Sequence, residues 1–221
     1  MYLINNENLY KPTYTYGEHE VIKRNNFRYY KIDNLLVPSV TSILRVSRST
    51  QGFNYSSKQS DSFEIGNLMH DYLDKYITNR SIFAENSKNS KIACELSKVI
   101  IDNIFPRVTS FIASEATVHH QYNFAGTLDL LAEIDNKLTV IDYKSSYRKK
   151  SRYLIDEHFQ QLAAYAIAHD NMHNTDIKQA MLFIVYKESY EFEILTAELS
   201  LLNEYKCMWQ DKLKYYNEVS V

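Results

Sequence analysis

Cysteine, glycine and proline are all scarce: the 221 residues include 2 cysteines, 4 glycines and 3 prolines. Cys94 and Cys207 alone cannot build a disulfide framework, a four-cysteine zinc site or an iron-sulfur cluster within the chain. Both stand in apolar helical contexts and are expected to be buried thiols. So little glycine and proline excludes collagen-like repeats and long flexible linkers. No stretch approaches the roughly 18 consecutive apolar residues of a membrane span, and the opening Met1-Tyr-Leu-Ile-Asn-Asn-Glu-Asn8 lacks a secretory pattern. The expectation is a soluble, cytoplasmic protein with no membrane partner. An excess of one charge is missing too. A net charge of -2 excludes coating a polyanion through overall charge, but leaves room for local basic faces.

What is present is a large apolar fraction, 45% of residues, enough for one domain over residues 1–221 with its own core. Short strands are expected at Tyr14–Tyr16 and Arg28–Ile32, then a helix beginning within Val37-Pro-Ser-Val-Thr-Ser-Ile-Leu-Arg45, where Ser39, Thr41 and Ser42 cluster. The polar stretch Ser47–Ser60 reads as a loop. Phe63, Met69, Leu73, Tyr76 and Ile77 recur at helical spacing, predicting a helix over Asp61–Thr78 that sets His70 and Asp74 on one face. A second helix is expected over Ser87–Ile104, ended by Pro106. Strands follow at Thr109–His119, Asn123–Ile134 and Leu138–Ser145, with Gly126 as a bulge or point of close approach. A helix at Tyr153–Asn171, a hairpin from Ala180–Tyr186 to Tyr190–Leu195 and a helix from Leu199 to about Asn217 complete the order. This succession predicts an α/β fold, a mixed central sheet with helices on both faces.

The most informative segment runs from Gly126 to Ser146. Two runs rich in Leu, Ile and Val flank Asp135-Asn136, a pair suited to a two-residue turn. If those two residues form the loop, Ile134 faces Lys137 and, counting outward, Asp129 faces Asp142. Opposed residues have Cβ atoms about 4.5–5.5 Å apart, close enough to share a divalent cation. Without one, two charges about 5 Å apart repel by roughly 3 kcal/mol at an effective dielectric near 20. Lys144 points to the same face as Asp142. The competing register, shifted by one, would leave one aspartate in solvent and pair the other with Lys144.

These residues resemble the PD-(D/E)XK nucleases, and within them the RecB-type exonuclease branch with its mitochondrial and phage members. Gly66-Asn-Leu-Met-His70 with Asp74 is similar to the branch's Gly-x-x-x-His-x-x-x-Glu helix, Gly126-Thr-Leu-Asp129 to its first acidic motif, Ile141-Asp-Tyr-Lys144 to its Asp-x-Lys motif and Gln161-Leu-Ala-Ala-Tyr165 to its Gln-x-x-x-Tyr motif. The resemblance spans about residues 37–171. Asp74 departs from the usual glutamate, and Leu128 stands where the superfamily's proline would.

The resemblance implies a restriction-endonuclease-like core over 108–221, with residues 1–107 guiding DNA, and a metal-dependent DNA exonuclease working on single strands or ends. A phage origin would place it in a host-cell cytoplasm. It implies Mg²⁺ or Mn²⁺ held by His70, Asp129, Asp142 and the Tyr143 carbonyl, with Lys144 orienting or deprotonating water and Gln161 and Tyr165 donating to phosphate or to the lysine. Glu115 is either a further ligand or an exposed strand carboxylate. Ser39, Thr41 and Ser42 either meet DNA phosphates or cap a helix. Arg45, Ser145, Ser146, Arg148 and Lys149 are expected near phosphates. His169 and His173 are read as surface residues and His119-His120 as structural. The tyrosines of the N-terminal third are either stacking platforms for bases or filler. A duplex or structure-specific endonuclease of the same fold, and a catalytically idle DNA-binding module, are the alternatives.

Overall fold

In the computed structural model, residues 10–49, 60–79 and 87–219 are described. Three short strands come first: β1 (Val21–Arg24), β2 (Phe27–Ile32) and β3 (Leu35–Pro38) form a small antiparallel sheet in that order. Asn25-Asn26 and Asp33-Asn34 join them with φ at 49°, 64°, 46° and 68°, the left-handed turn geometry that Asn and Asp tolerate. These tight turns change two expectations. Tyr14–Tyr16 forms no strand, and Val37-Pro38 closes β3 rather than opening a helix. Helix α1 (Val40–Ser49) follows, and its first turn is fastened by Ser39, whose Oγ accepts from the Ser42 amide at 3.0 Å.

Helices α2 (Ser60–Ile77) and α3 (Lys88–Asn103) come next. Of the polar stretch expected as a loop, residues 50–59 lie outside the described residues. The Ser87 side chain accepts from the Ser90 amide to cap α3, and Pro106 sits in the single 3-10 turn Phe105–Arg107 that ends this part. Then come β4 (Val108–His120), β5 (Phe124–Ile134), β6 (Lys137–Ser146), α4 (Arg152–His173), β7 (Gln179–Tyr186), β8 (Phe192–Glu198) and α5 (Leu199–Val219).

The second sheet has the order β4-β5-β6-β7-β8, with β6 and β7 parallel and every other pair antiparallel. The parallel step is the one that needs a long crossover, and α4 supplies it. The fold is therefore α/β: a mixed five-stranded sheet flanked by helices, with the small sheet beside it. One face is covered by α1, α4 and α5 through Ile43, Leu162, Ala166, Leu202 and Trp209. The other is covered by α2 and α3 through Met69, Leu73, Leu96 and Ile100. With both faces covered, β7 is apolar without alternation, and Ala180 to Val185 are all fully buried.

Three local expectations need correction. Phe63 is 62% exposed, because the inward stripe of α2 runs through Ile65, Met69, Tyr72, Leu73 and Ile77. Cys94 and Cys207 are both exposed; each lies just off its helix's buried stripe, next to Ala93 and two past Tyr205 respectively. His169 is fully buried rather than superficial, since the Tyr14–Tyr16 segment covers the end of α4. Its Nε2 is 2.8 Å from the Tyr16 hydroxyl and its Nδ1 2.8 Å from Thr175 Oγ1, which donates to Asp170 Oδ1 at 2.8 Å. Burial holds the imidazole neutral, with its pKa down at about 4.

Candidate active site

The β5–β6 hairpin turns at Asp135 and Asn136, with φ 50° and 60°. Its register runs from Ile134↔Lys137 to Leu130↔Ile141, so the next residues outward are Asp129 and Asp142. There the side chain joins the ladder: the Tyr143 amide donates to Asp129 Oδ2 at 2.8 Å. On the other side β4 pairs Ser114 with Leu130 and Ala116 with Leu128, skipping Glu115 opposite Asp129. Glu115 has φ 47°, a left-handed conformation that costs a β-strand residue energy and here turns its carboxylate onto the Asp129 side.

Helix α2 brings His70 to this point. Its Nδ1 lies 3.3 Å from Glu115 Oε1 and 3.4 Å from Asp129 Oδ1, and its Nε2 lies 3.1 Å from the Tyr143 carbonyl oxygen. One ligand atom from each of His70, Glu115 and Asp129 lies within 4.8 Å of the other two. Burial disfavours a charge on His70, but the Asp129 and Glu115 carboxylates outweigh it and raise its pKa to about 10. Asp129 is lowered in turn: burial opposes this, and His70, Lys144 and the Tyr143 amide prevail. Burial, helped by the charges of Asp129 and Asp74, raises Glu115 against the pull of His70.

Asp142 stands outside that triple. It is fully buried, and the Lys144 ammonium lies 2.5 Å from each of its carboxylate oxygens. Oδ2 feels that charge but accepts no aligned hydrogen bond. Burial raises Asp142 to about 6, with Asp129 adding to the rise and Lys144 opposing it. For Lys144, burial opposes the charge, yet Asp142 and Asp129 raise its pKa and keep it an ammonium donor. Gln161, on α4, points Nε2 at Asp142 Oδ1 (3.4 Å) and donates to the Tyr165 hydroxyl at 2.9 Å. Gly126 makes room for that tyrosine: a Cβ there would lie 2.4 Å from Tyr165 Cε1.

The structure thus brings together His70, Glu115, Asp129, Asp142, Tyr143, Lys144, Gln161 and Tyr165. It treats the other candidates differently. Ser39 and Ser42 are buried and bound internally, Ser42 Oγ accepting from the Arg28 amide at 2.7 Å and donating to the Arg28 carbonyl at 3.0 Å, while Thr41 is exposed. Arg45 donates to the Asn26 carbonyl at 2.8 Å. Ser145 and Ser146 are half-buried, Ser146 Oγ donating to the Arg148 carbonyl at 2.7 Å. Arg148 is exposed, and Lys149 pairs with Glu193 at 3.0 Å. One residue escaped the sequence reading. Lys187, nearly buried after β7, donates to the Ser62 carbonyl and hydroxyl at 3.0 and 2.6 Å, fastening the start of α2 beside the site. A lysine closing an apolar strand was its only signal.

The family model described as the PD-(D/E)XK nuclease superfamily matches residues 40–206. The chain belongs to that superfamily. Human mitochondrial genome maintenance exonuclease 1 is 24% identical over 206 residues, covering 83% of this chain and 59% of its own length. The Xenopus tropicalis protein of the same name is 28% identical over 123 residues, covering 53% of this chain and 35% of its own. The chain thus spans less than two thirds of these relatives. A crystal structure of a proposed exonuclease from Eubacterium rectale aligns over 82% of this chain and 75% of its own at 13% identity and a TM-score of 0.47.

Proposed function

We propose that the protein is a divalent-metal-dependent deoxyribonuclease, an exonuclease that shortens single-stranded DNA or DNA ends during replication, recombination or repair. The observation that carries this reading is the convergence of His70, Glu115 and Asp129 beside the Asp142–Lys144 pair. Superfamily membership and the resemblance to mitochondrial genome maintenance exonuclease 1 support it.

The donor set fits a small hard cation. It offers the carboxylates of Glu115 and Asp129, the Tyr143 carbonyl and one imidazole, and the Asp142 carboxylate, paired with Lys144, interacts with Asp129. Mg²⁺ or Mn²⁺ bound there would neutralise charge on a phosphodiester and lower the pKa of a water. Each side chain then has a place. His70, as the neutral imidazole, with Glu115, Asp129, Asp142 and the Tyr143 carbonyl would hold the ion. Lys144 Nζ, an ammonium on the Asp142 carboxylate, is the donor able to hold the attacking water and the oxyanion that develops on phosphorus. Gln161 and Tyr165 lock the orientation of Asp142 and present donors to the phosphate.

Linear and covalently closed single strands, incubated with Mn²⁺, test the reading. Mononucleotides or short products should leave one labelled end of the linear strand, the circle should persist, and a chelator should stop the reaction. Cleavage of the circle would establish an endonuclease instead. Binding of DNA without hydrolysis of either would leave the idle DNA-binding module.

A further inference from the structure

Away from the hairpin, the small sheet carries an outer face with no role so far. Pairing Arg24 with Phe27, Ile22 with Tyr29, Tyr29 with Pro38 and Lys31 with Leu36 puts all of these on one side. The other side, with Tyr30, Ile32 and Val37, is buried on Ala125 of β5. The outer face therefore carries the rings of Phe27 and Tyr29 between Arg24 and Lys31, with Ile22, Leu36 and Pro38 beside them, and the Arg45 guanidinium stands over the Phe27 ring, 5.8 Å from its centroid. Beside them opens a cleft of about 450 Å³ between the sheet, α1, the β4–β5 turn and the end of α5. Phe27, Tyr29, Tyr122 and Tyr216 line it with Asn123 and Asn217. Tyr122 is 53% exposed, and its hydroxyl donates to Asp33 Oδ2 at 3.0 Å.

Charge indicates what such a surface suits. Arg24 and Lys31 lie on this face and the Arg45 guanidinium stands over it, whereas Lys23 and Arg28 take the opposite side of the sheet; Asp33 is the single acid of residues 21–49, in a chain whose net charge is -2. Glu20, just outside this stretch, offsets one of the cations by pairing with Lys31 at 3.8 Å. A face with cations beside partly exposed rings matches a strand with a charged backbone and unpaired bases, and rings accept any base because every base has a π-face. The position suits the site as well. The sheet is pinned to β5 by the Ser39–Ala125 bridge and by the Tyr30 hydroxyl, 3.0 Å from Thr127 Oγ1. Ala125 is four residues from Asp129, about 13 Å of extended strand.

We infer that the outer face of the small sheet, with the Tyr122 cleft, is a second binding surface for single-stranded DNA. It holds unpaired bases of the strand whose phosphodiester lies at the hairpin; this rests on the nuclease reading above. The face acts as a grip on length: oligonucleotides long enough to reach it bind more tightly than short ones, and duplex DNA, whose bases are stacked, gains nothing from it.

Fluorescence anisotropy with labelled oligothymidylates of increasing length tests this, in a Lys144→Ala background so that substrate persists. Arg24→Ala, Tyr29→Ala and Tyr122→Ala are compared, with melting temperature as the check on folding. Arg24 and Tyr122 are exposed, so at least two variants should fold. Each ring variant should lose roughly five- to hundredfold affinity for the long oligonucleotide, the range for one base–aromatic stack, and no affinity for a trinucleotide. Long-strand affinity within twofold of the parent in all folded variants would overturn the inference. So would a change in sedimentation, without a change in DNA affinity, that marked the face as a contact between copies. Hydrolysis of a small phosphodiester by the unsubstituted chain, which engages only the hairpin, separates failure of this surface from failure of the nuclease reading.

Discussion

Asp129 and Asp142 occupy facing positions on one hairpin, yet the fold gives them different partners. Asp129 turns to His70, Glu115 and the Tyr143 amide, and Asp142 to Lys144 and Gln161. A carboxylate that gathers a histidine and a second acid around it is suited to an ion, and one clasped by an ammonium is suited to placing that ammonium beside the ion it would also help to hold. Asp129→Asn removes a unit charge whose gross attraction for a divalent ion is about 7 kcal/mol at roughly 5 Å and an effective dielectric near 20, of which desolvation cancels roughly half. Calorimetric titration of Mn²⁺ should therefore show affinity weakened by roughly a hundredfold; an unaltered isotherm would place the ion elsewhere. Asp129, Asp142 and Lys144 were legible in the sequence because a two-residue turn at Asp135-Asn136 favours the register that sets them on one face over the register shifted by one. Glu115 was not resolved as a ligand, since no spacing rule reports a positive φ inside a strand. The division of labour between the aspartates was equally hidden, because it depends on α2 and α4 arriving on opposite sides of the hairpin.

At the scale of elements, α4 does two things. Its middle sets Gln161 and Tyr165 against the hairpin, and Gly126 admits Tyr165 by lacking a Cβ. Gly126→Ala forces either the tyrosine or β5 to move. Overpacking of this kind costs about 1–3 kcal/mol, to be seen as a lowered melting temperature together with reduced nuclease turnover. Full retention of both would mean that the close approach is not needed. The far end of α4 holds His169. An unfolded chain takes up this proton near pH 6.5 and the folded one only near 4, so this stability is complete above about pH 6.5 and is lost as pH falls toward 4. His169→Gln should flatten the decline in melting temperature between pH 7 and pH 5; an unchanged slope would assign the decline to other groups. Helical periodicity foretold α4 and its length to within a few residues. It could not foretell the burial of His169, which follows from the N-terminal tyrosines crossing over the helix.

Across the whole molecule, the order of elements was readable, and with it the mixed sheet covered on both faces, because long periodic helices and unbroken apolar strands tolerate few other assignments. The small sheet was half read. In the sequence its third strand reads as a helix start and its first strand gives no signal, since Asn-Asn and Asp-Asn turns carry a weaker signal than Asn-Gly. That sheet now stands beside β5 with Arg24, Lys31, Phe27 and Tyr29 outward, in a chain of nearly balanced net charge. Association with single-stranded DNA should accordingly weaken as salt rises, in proportion to the phosphates neutralised, and salt-independent affinity would contradict an electrostatic grip. The central claim is that one hairpin, with His70 and Glu115, forms a metal-dependent hydrolytic centre in which Lys144 is the donor to the reacting phosphate. The most direct test follows an end-labelled single strand with Mn²⁺, comparing the unsubstituted chain with Lys144→Ala. Progressive shortening by the former, and a rate lower by about a hundred- to a thousandfold in a folded, DNA-binding Lys144→Ala variant, is the expected result. Equal shortening by both proteins would contradict it.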